Sequence, residues 1–332
     1  MKTYRNLWNG FISKENWELA QKNSVKRKRR QRQIRRFNEN RDENLENIRQ
    51  SVINGKYHTS KYTEKMVYEP KMRVIYKLPY APDRIVQHAV MNILRPILET
   101  KFIENSYACV DGKGPHRDSL KCSEFTRKYK YCLKCDIKQF YPSVNQEILS
   151  GMLHRIIKDE RFMRVVDDIV FSFPGETNVP IGNYCSQWFG NFYLTVLDNY
   201  VLHELKCGAY IRYCDDFLLF SDSKAELRRD KILIEKFLHE KLRLRFSKAD
   251  IFHTKQGVDF CGYRSFKDYV LLRKRTAKRI RRRIVKIKEL NTHTQGQLAS
   301  AKGQLRHCCS YHFRKSIGLE RRMYEQTQQR NT

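Results

Sequence analysis

The stretch Ala209–Asp222, AYIRYCDDFLLFSD, places two short apolar segments around a pair of adjacent aspartates. Tyr210–Cys214 and Phe217–Phe220 are rich in the aromatic, β-branched and aliphatic residues that favour strands, and aspartate tolerates a tight turn. The stretch therefore predicts a β-hairpin with the carboxylates of Asp215 and Asp216 at its tip. Because neighbouring carboxylates repel each other, we expect a compensating cation, and Mg²⁺ is the simplest candidate for oxygen ligands.

A second pair of adjacent aspartates shows that the dipeptide alone is weak evidence. Asp167 and Asp168 lie in RFMRVVDDIVFSF (161–173), where the preceding residues predict a helix that leads into a turn. We assign no chemistry to this pair. A plain polar turn is also the alternative for Asp215 and Asp216, so the rest of the chain has to decide between the two interpretations.

The composition indicates a polyanionic partner. The chain has 332 residues, 40% of them hydrophobic, which is enough for a packed core and two or three subdomains. Its 66 Lys and Arg against 36 Asp and Glu give a formal charge of +30. Such self-repulsion strains a compact fold unless a polyanion neutralises it, so nucleic acid is favoured over an anionic membrane surface. No apolar run approaches the roughly 18 residues of a spanning helix.

The start of the chain and the cysteines indicate the compartment. The opening MKTYRNLWNG has no apolar signal core, so we expect a cytoplasmic protein without a membrane partner. Ten cysteines fit a reducing compartment. Cys132 and Cys135 have the spacing of zinc ligands, but the adjacent Cys308 and Cys309 do not supply a matching second pair. We therefore interpret Cys132 and Cys135 as thiols of a buried strand.

Two segments are strongly basic. In 26–36, KRKRRQRQIRR, eight of eleven residues are cationic, which is typical of a disordered or partly helical arm that contacts phosphates; a solvated tail is the alternative. In 273–288, ten of sixteen residues are cationic. The apolar residues of this second segment share one helical face: Ala277, Ile280, Ile284 and Ile287. It therefore predicts a helix docked on a core, with a basic outer surface for a nucleic-acid backbone.

Other patterns predict the elements around the hairpin. The proline-punctuated stretch 68–84 predicts extended segments, with Asp83 as the cap of the following helix. An amphipathic helix is expected over 224–241, with Leu227, Ile232, Ile234 and Leu238 near one face. The stretch 242–248, LRLRFSK, predicts a strand that ends at Lys248.

A third carboxylate completes a candidate catalytic set. Tyr131–Ile137, YCLKCDI, predicts a buried strand that ends with Asp136, and Tyr141 follows shortly after. If this strand neighbours the hairpin in one antiparallel sheet, Asp136, Asp215 and Asp216 come together. Carboxylates that share two divalent ions suit an in-line phosphoryl transfer. Together with the positive charge, this set indicates synthesis or cleavage of a polynucleotide.

Three segments resemble motifs A, B and C of reverse transcriptases. They are Asp136 with Tyr141, Ile181-Gly-x-x-x-Ser-Gln187, and Tyr213-Cys-Asp-Asp216. The flanking family motifs match in order: Lys71-x-Arg73, APDRIVQHA, SYACVDGKG, the strand-end Lys248 and Phe260-Cys-Gly-Tyr263. The resemblance covers about residues 60 to 320. It implies an α+β right-hand polymerase fold with fingers, an antiparallel-sheet palm and a helical thumb.

The resemblance also implies a division of the chain and roles for its residues. The divisions are a basic N-terminal extension (1–40), fingers (41–110 and 146–180), palm (111–145 and 181–266) and a basic helical thumb (267–332). Two Mg²⁺ ions are implied, with Asp136 and Asp215 as the principal ligands, Asp216 nearby and the Ile137 carbonyl completing the coordination.

The remaining implied roles concern the nucleotide and the primer. Tyr141 resembles the steric gate that excludes a ribose 2′-hydroxyl, and Lys71 and Arg73 would contact the triphosphate. Lys248 is a candidate proton donor to pyrophosphate. The nucleotide-binding set further includes Ile181, Gly182 and Gln187. Phe260, Gly262 and Tyr263 would form the primer grip.

The variant of motif B narrows the resemblance. Most reverse transcriptases begin this motif with Gln and end it Ser-Pro, whereas Ile181 and Gln187 occupy those positions here. This form is similar to the reverse transcriptases of diversity-generating retroelements, which misincorporate opposite template adenines. An amide at Ile181 could hydrogen-bond near the base pair and isoleucine cannot, which would weaken base discrimination; plain packing of Ile181 is the alternative.

The retroelement subtype implies specific binding partners, and two alternative functions stay open. The implied partners are a template-repeat RNA, the RNA–DNA duplex, deoxynucleoside triphosphates and an oligomeric, basic accessory variability protein, in a bacterial or phage-encoded system. One alternative is a reverse transcriptase of the retron or group II intron type. Another is an RNA-binding protein without catalysis, against which the intact aspartates weigh.

Overall fold

The computed structural model describes the backbone of residues 2–68, 72–289 and 295–319, so Lys71 lies outside the described residues. The helices are α1 (Trp8–Ile12), α2 (Lys14–Ser24), α3 (Arg32–Glu39), α4 (Arg41–Ile53), α5 (Ile85–Glu99), α6 (Pro115–Lys128), α7 (Phe140–Ser143), α8 (Gln146–Ile156), α9 (Glu160–Val170), α10 (Ser186–Tyr193), α11 (Thr195–Asn199), α12 (Lys224–Leu242), α13 (Lys274–Glu289), α14 (Gln295–Leu305) and α15 (Tyr311–Ser316). The strands are β1 (Thr63–Val67), β2 (Arg73–Lys77), β3 (Tyr131–Ile137), β4 (Tyr210–Tyr213), β5 (Asp216–Ser221), β6 (Phe246–His253), β7 (Val258–Phe260), β8 (Tyr263–Ser265) and β9 (Val270–Leu272).

The chain forms two compact units. The first contains the described residues of 2–104, together with 136–206 and 232–248. The second contains 105–135, 207–231 and the described residues from 249 onwards. These units differ in their boundaries from the fingers, palm and thumb expected above, and that division stays a prediction.

The first unit is mainly helical. Helices α1, α2 and α9 pack around α5, and the Phe11 and Phe162 rings meet edge-on at 5.1 Å. Strands β1 and β2 form an antiparallel hairpin. The basic segment 26–36 runs into α3, where Ile34 and Phe37 are buried; this part of the predicted arm is therefore helical and packed.

The second unit is built on sheets. Strand β3 has the bounds that its apolar run predicts, and it belongs to a four-stranded sheet with the order β4–β5–β3–β6. A smaller antiparallel sheet has the order β7–β8–β9. The core between them and α6 consists of buried apolar residues: Cys122, Phe125, Cys132, Ile211, Leu218, Phe220, Val258 and Phe260. Helix α13 buries Ile280 and Ile284 against α14, as its predicted apolar face requires.

Three local predictions are wrong. Asp83 does not cap α5: it is fully buried and accepts hydrogen bonds from the Tyr57 hydroxyl and the Ser60 amide, at 3.1 and 3.0 Å. Ile232 is 67% exposed and does not join the buried face of α12. Strand β6 continues to His253, so Lys248 lies inside the strand.

Two further expectations concern the cysteines and membrane-spanning helices. Cys132 and Cys135 are free thiols buried in β3, as interpreted from their strand. Across the described part of the chain, every helix is too short or too polar to span a bilayer.

Candidate active site

The hairpin β4–β5 closes with a turn of two residues. Tyr213 pairs with Asp216 in the antiparallel register, so Cys214 and Asp215 form the turn. Cys214 has a φ of 53°, in the left-handed region that such tight connections often require. Asp215 therefore lies at the tip as predicted, whereas Asp216 is already the first residue of β5.

A buried arginine supports this turn from within the hairpin. Arg212 is 0% exposed, and its Nη1 donates to the Cys214 carbonyl at 3.1 Å. Its backbone also pairs with the preceding loop: Tyr107 N–H donates to the Arg212 carbonyl, and Arg212 N–H to the Asn105 carbonyl, both at 3.0 Å. The backbone of the tip is thus held on one side by a charge-assisted hydrogen bond. Sequence reasoning missed Arg212, although a cation at an apolar strand position was a usable signal.

Asp136 lies at the end of β3, where a serine orients it. The Ser247 hydroxyl donates to the Asp136 carboxylate, and it lies 3.2 Å from the Asp136 carbonyl oxygen. The next turn of chain is fixed by a 2.9 Å bond from Lys138 N–H to the Arg245 carbonyl. Ile137 is buried. No motif indicated Ser247, which is 111 residues from Asp136 in sequence.

The ring of Tyr141 is positioned by a glycine of α10. A Cβ atom at Gly190 would lie 2.9 Å from the Phe140 ring and 3.1 Å from the Tyr141 ring, so glycine allows both rings to pack on this helix. The Tyr141 carbonyl accepts a 3.0 Å hydrogen bond from Val179 N–H. Tyr141 is half-buried, with its position set by α10 and by the segment that leads into motif B.

The motif B loop docks its backbone on β2. The Ile181 carbonyl accepts a 2.9 Å hydrogen bond from Tyr76 N–H. Gly182 has a φ of 132°, and a Cβ there would lie 2.1 Å from the Tyr76 carbonyl oxygen, so only glycine fits. The side chain of Ile181 is half-buried, and Gln187 is exposed in the first turn of α10.

Three further hydrogen bonds fix the motif B loop. The partners are Ser186 Oγ to the Pro180 carbonyl (2.6 Å), Asn183 Nδ2 to the Tyr62 hydroxyl (2.7 Å) and Tyr184 N–H to Gln87 Oε1 (2.8 Å). His88 stacks on Tyr184 with ring centroids 3.8 Å apart. Burial, assisted by nearby cations such as Arg84, lowers the pKa of His88 to about 3. The imidazole beneath the loop is therefore neutral at physiological pH.

The predicted phosphate-binding cations are exposed. Arg73 is the first residue of β2, and its side chain is open to solvent. Lys248 is exposed within β6. Both positions suit contact with a charged ligand, and both roles stay predictions.

The aromatic side chains of the predicted primer grip are buried, contrary to expectation. Phe260 and Tyr263 are 2% and 3% exposed, so their rings belong to the core. The Tyr263 hydroxyl lies 2.8 Å from His116 Nδ1 and donates to the Gln304 carbonyl at 3.1 Å. Between them, Cys261 and Gly262 form a turn with φ angles of 45° and 91°. The turn is therefore partly exposed while the two rings are buried, and the primer-grip role stays a prediction.

Asp118 is a buried acid that sequence reasoning missed. Its side chain is 0% exposed, and its Oδ2 accepts a hydrogen bond from the Cys261 thiol at 2.6 Å. Burial raises the pKa of Asp118 to about 7; the Cys261 hydrogen bond opposes this rise and the charge of Asp216 adds to it. Asp118 thus lies within electrostatic reach of Asp216.

The predicted site residues fall into two groups, one in each unit. The first unit holds Arg73, Asp136, Ile137, Tyr141, Ile181, Gly182, Gln187 and Lys248, and the second holds Asp215, Asp216, Phe260, Gly262 and Tyr263. Within the described residues, no three His, Cys, Asp or Glu side chains form a closed metal-binding cluster. The candidate donors are all oxygens, as Mg²⁺ prefers. Mg²⁺ commonly uses one or two carboxylates, with water and substrate phosphates as its other ligands, so the donor set fits this ion.

Sequence relatives were identified among curated proteins. The chain is 25% identical to Protein YkfC of Escherichia coli (strain K12) over 287 residues, covering 70% of this chain and 72% of YkfC. It is 22% identical to the group II intron-encoded protein LtrA of Lactococcus lactis subsp. cremoris over 297 residues, covering 67% of this chain. That alignment spans 49% of LtrA, so the chain matches about half the length of this relative.

Solved structures show the fold. Apo telomerase from Candida tropicalis superposes with a TM-score of 0.50 at 13% identity, over 72% of this chain and 54% of the telomerase chain. Telomerase from Candida albicans, in complex with a TWJ fragment of telomeric RNA, gives a TM-score of 0.50 at 13% identity, over 80% and 57%. The fold of the chain is accordingly the right-hand polymerase fold.

The family profile for reverse transcriptase (RNA-dependent DNA polymerase) matches residues 62–265. This match begins just before β1 and ends with β8, so it includes the predicted site residues from Arg73 to Tyr263. It covers more than half of the chain, and the chain therefore belongs to the reverse transcriptase family.

Proposed function

We propose that this protein is an RNA-directed DNA polymerase whose metal ligands are Asp136, Asp215 and Asp216. The observation that carries the proposal is the strand order of the central sheet. Strand β3, which ends with Asp136 and Ile137, neighbours β5, which begins with Asp216 directly after the turn. Family membership supports the same assignment.

The proposed metal chemistry needs two Mg²⁺ ions. When bound, such ions activate an attacking hydroxyl and stabilise a leaving pyrophosphate. Asp136 and Asp215 would hold them, with Asp216 and the Ile137 carbonyl as further oxygen donors. Ser247 keeps the Asp136 carboxylate in one orientation through its hydroxyl.

The other residues would bind and select the nucleotide. Lys71 and Arg73 would contact the triphosphate, where charge-assisted hydrogen bonds are strong. Tyr141 would place its ring beneath the sugar and exclude ribonucleotides; Gly190 supports this role because it lets the ring pack on α10. Lys248 would supply a proton to the pyrophosphate, and its exposure allows that contact.

Primer extension tests the activity directly. A DNA primer on an RNA template should be extended with deoxynucleotides in Mg²⁺, extension should stop with EDTA, and excess Mg²⁺ should restore it. Asp215→Ala should abolish extension while leaving the fold intact by circular dichroism. Full extension by Asp215→Ala would overturn the metal assignment, and no extension by folded wild type would overturn the activity.

Within this activity we infer adenine-mutagenic copying of a template-repeat RNA, as in diversity-generating retroelements, with a basic accessory variability protein as partner. Ile181 supports this subtype because an apolar, half-buried side chain stands where most reverse transcriptases have Gln, and the Tyr76 N–H holds the backbone of the loop at this residue. An apolar group there cannot hydrogen-bond to a base. Ile181→Gln should lower misincorporation opposite template adenines. An unchanged error spectrum in that variant would contradict the role of Ile181.

A group II intron-type reverse transcriptase is the second candidate. The similarity to LtrA favours it. The two candidates differ in their error spectra: the retroelement type concentrates errors at template adenines, whereas an intron type has no reason to do so. Template and variable repeats that differ at adenines beside the gene would favour the first candidate.

We also infer a cytoplasmic location. The ten cysteines are free in the structure, as a reducing compartment would keep them. A cell fractionation that places the protein elsewhere would contradict this inference.

A further inference from the structure

The first turn of α6 contacts both ends of the turn between β7 and β8. Asp118 Oδ2 lies 2.6 Å from the Cys261 sulfur, and His116 Nδ1 lies 2.8 Å from the Tyr263 hydroxyl. Two side chains that are two residues apart on the helix thus meet two side chains that are two residues apart on the hairpin. We call His116 and Asp118 the α6 clamp. Gly262, the glycine of the predicted primer grip, lies between its two contacts.

The clamp includes a buried acid that is incompletely paired. Asp118 is 0% exposed, and its second oxygen, Oδ1, is buried without a hydrogen-bond partner. Burying a polar atom without a partner destabilises the fold. An apolar residue would fill this place in the core without that cost. The one hydrogen bond of this carboxylate joins α6 to Cys261, so we interpret Asp118 by its effect on Cys261.

The loop before α6 fixes the direction of the clamp. This loop, VDGKGP at 110–115, has no role in the site described above. Gly114 has a φ of 136°, which favours glycine, and Pro115 begins the helix. Asp118 N–H donates to the Gly114 carbonyl at 3.1 Å, which completes the first helical turn. The loop therefore fixes the residue at which α6 begins, and with it the positions of His116 and Asp118 in the first turn.

The other side of the hairpin is joined to the thumb helices. The Tyr263 hydroxyl donates to the Gln304 carbonyl of α14 at 3.1 Å. Arg273 N–H, directly before α13, donates to the Gly262 carbonyl at 3.0 Å. The Cys261–Gly262 turn is thus held between α6 on one side and the start of the thumb helices on the other.

We propose that His116 and Asp118 are positioning residues for the primer strand, which fix the Cys261–Gly262 turn so that its backbone can hold the primer terminus. The inference rests on the proposed polymerase function, because a primer grip has meaning only there. It assigns the VDGKGP loop and the first turn of α6 to primer placement. The rival explanation is that the same contacts only stabilise the core.

Primer affinity separates the two explanations. We expect Asp118→Ala and His116→Ala to raise the KM for primer–template about tenfold, the effect of losing one hydrogen bond to a buried group, with kcat within about threefold of wild type. Asp118→Asn keeps a carbonyl acceptor for the Cys261 thiol and should recover most of the affinity. Glu124→Ala is the matched control, because Glu124 is an exposed acid on the same helix that pairs with Lys121.

A double-mutant cycle tests the contact itself. Tyr263→Phe removes the hydroxyl that His116 touches, so His116→Ala and Tyr263→Phe should together raise the KM no more than the stronger single variant. Hydrogen exchange at the Gly262 amide should speed up in Asp118→Ala and not in Glu124→Ala. These readouts respond to placement of the turn, whereas a role in stability alone would lower only the unfolding midpoint.

The outcomes also separate this inference from the polymerase assignment. Primer–template affinity is additionally measured by fluorescence anisotropy without nucleotides, so it does not depend on catalysis. If wild type extends primers but the clamp variants bind and extend like Glu124→Ala, the clamp is overturned and the polymerase stands. If wild type binds a primer–template but does not extend it, the polymerase assignment is overturned, and with it the role of the clamp.

Discussion

The two pairs of adjacent aspartates lie in different surroundings. Asp167 and Asp168 are inside helix α9, where each carboxylate accepts hydrogen bonds from neighbouring elements. Asp167 accepts from the Ser150 hydroxyl at 2.7 Å, and His154 Nε2 lies 2.8 Å away. Asp168 accepts from the amide and the hydroxyl of Thr59, both at 2.7 Å.

The other pair lies at a strand end. Asp215 occupies a two-residue turn and Asp216 begins β5, beside the strand that carries Asp136. On a helix, successive side chains diverge by about 100°, so the α9 pair faces two different neighbours and ties them to the helix. The same dipeptide thus occurs in a helix that packs on its neighbours and at the end of a strand, and only the second position suits the metal site that we propose.

The largest expected effect is on catalysis by the hairpin pair. Asp215→Asn keeps the shape of the side chain but removes its charge, and a lost metal contact costs several kcal/mol in the transition state. We expect primer extension to slow roughly 1000-fold, with an unchanged melting temperature. Single-turnover rates on an RNA template measure this effect. A rate within tenfold of wild type would show that the hairpin pair, like the α9 pair, does not bind the catalytic metal ions.

The second effect is on stability, and it belongs to the α9 pair. Asp168→Ala leaves the Thr59 amide without its acceptor, so the free energy of unfolding should fall by about 1–3 kcal/mol. Activity per folded molecule should stay within about threefold of wild type. Urea unfolding and active-site titration measure the two quantities. A stable Asp168→Ala protein that had lost its activity would contradict the comparison.

A smaller effect is expected at Ser247, which orients the third carboxylate. Ser247→Ala removes the hydroxyl that Asp136 accepts from, and loss of such an outer contact typically weakens metal affinity or activity about tenfold. The Mg²⁺ concentration for half-maximal extension should rise accordingly. Ser150→Ala is the matched control, since Ser150 donates to Asp167. If both variants reached half-maximal extension at the same Mg²⁺ concentration, Ser247 would have no role in metal binding.

The smallest effect concerns sugar selection. In Gly190→Ala the new Cβ would press on the Phe140 and Tyr141 rings at 2.9 and 3.1 Å, so Tyr141 has to shift. The preference for deoxynucleotides over ribonucleotides should fall about fivefold if Tyr141 is the steric gate. Competition assays with dCTP and CTP measure the ratio. Gly208→Ala, where a Cβ meets no atom within 4 Å, is the control.

The sequence predicted the central elements well, because their signals are local. The apolar run Tyr131–Ile137 forms β3 with those bounds, and the hairpin strands differ from the prediction by about one residue. The prediction that Asp83 caps α5 was wrong because the Asp83 carboxylate is buried and accepts a hydrogen bond from the Tyr57 hydroxyl, 26 residues away in sequence. A local pattern cannot report such competition.

The sequence could not predict the contacts of Ser247 and Cys261 for the same reason. Ser247 meets Asp136 across 111 residues, and Cys261 meets Asp118 across 143. Contacts between residues so far apart in sequence produce no local sequence motif. The motif likewise did not show that the rings of Phe260 and Tyr263 are buried in the core, although it led us to predict a primer grip at this hairpin.

Metal binding by the two aspartate pairs tests the central claim most directly. Mn²⁺, a spectroscopic substitute for Mg²⁺, is titrated by electron paramagnetic resonance into wild type, Asp215→Asn and Asp168→Asn, each with primer–template and a deoxynucleotide. We predict that Asp168→Asn binds Mn²⁺ like wild type and that Asp215→Asn loses most of this binding. Equal binding by Asp215→Asn and wild type, or a loss confined to Asp168→Asn, would contradict it.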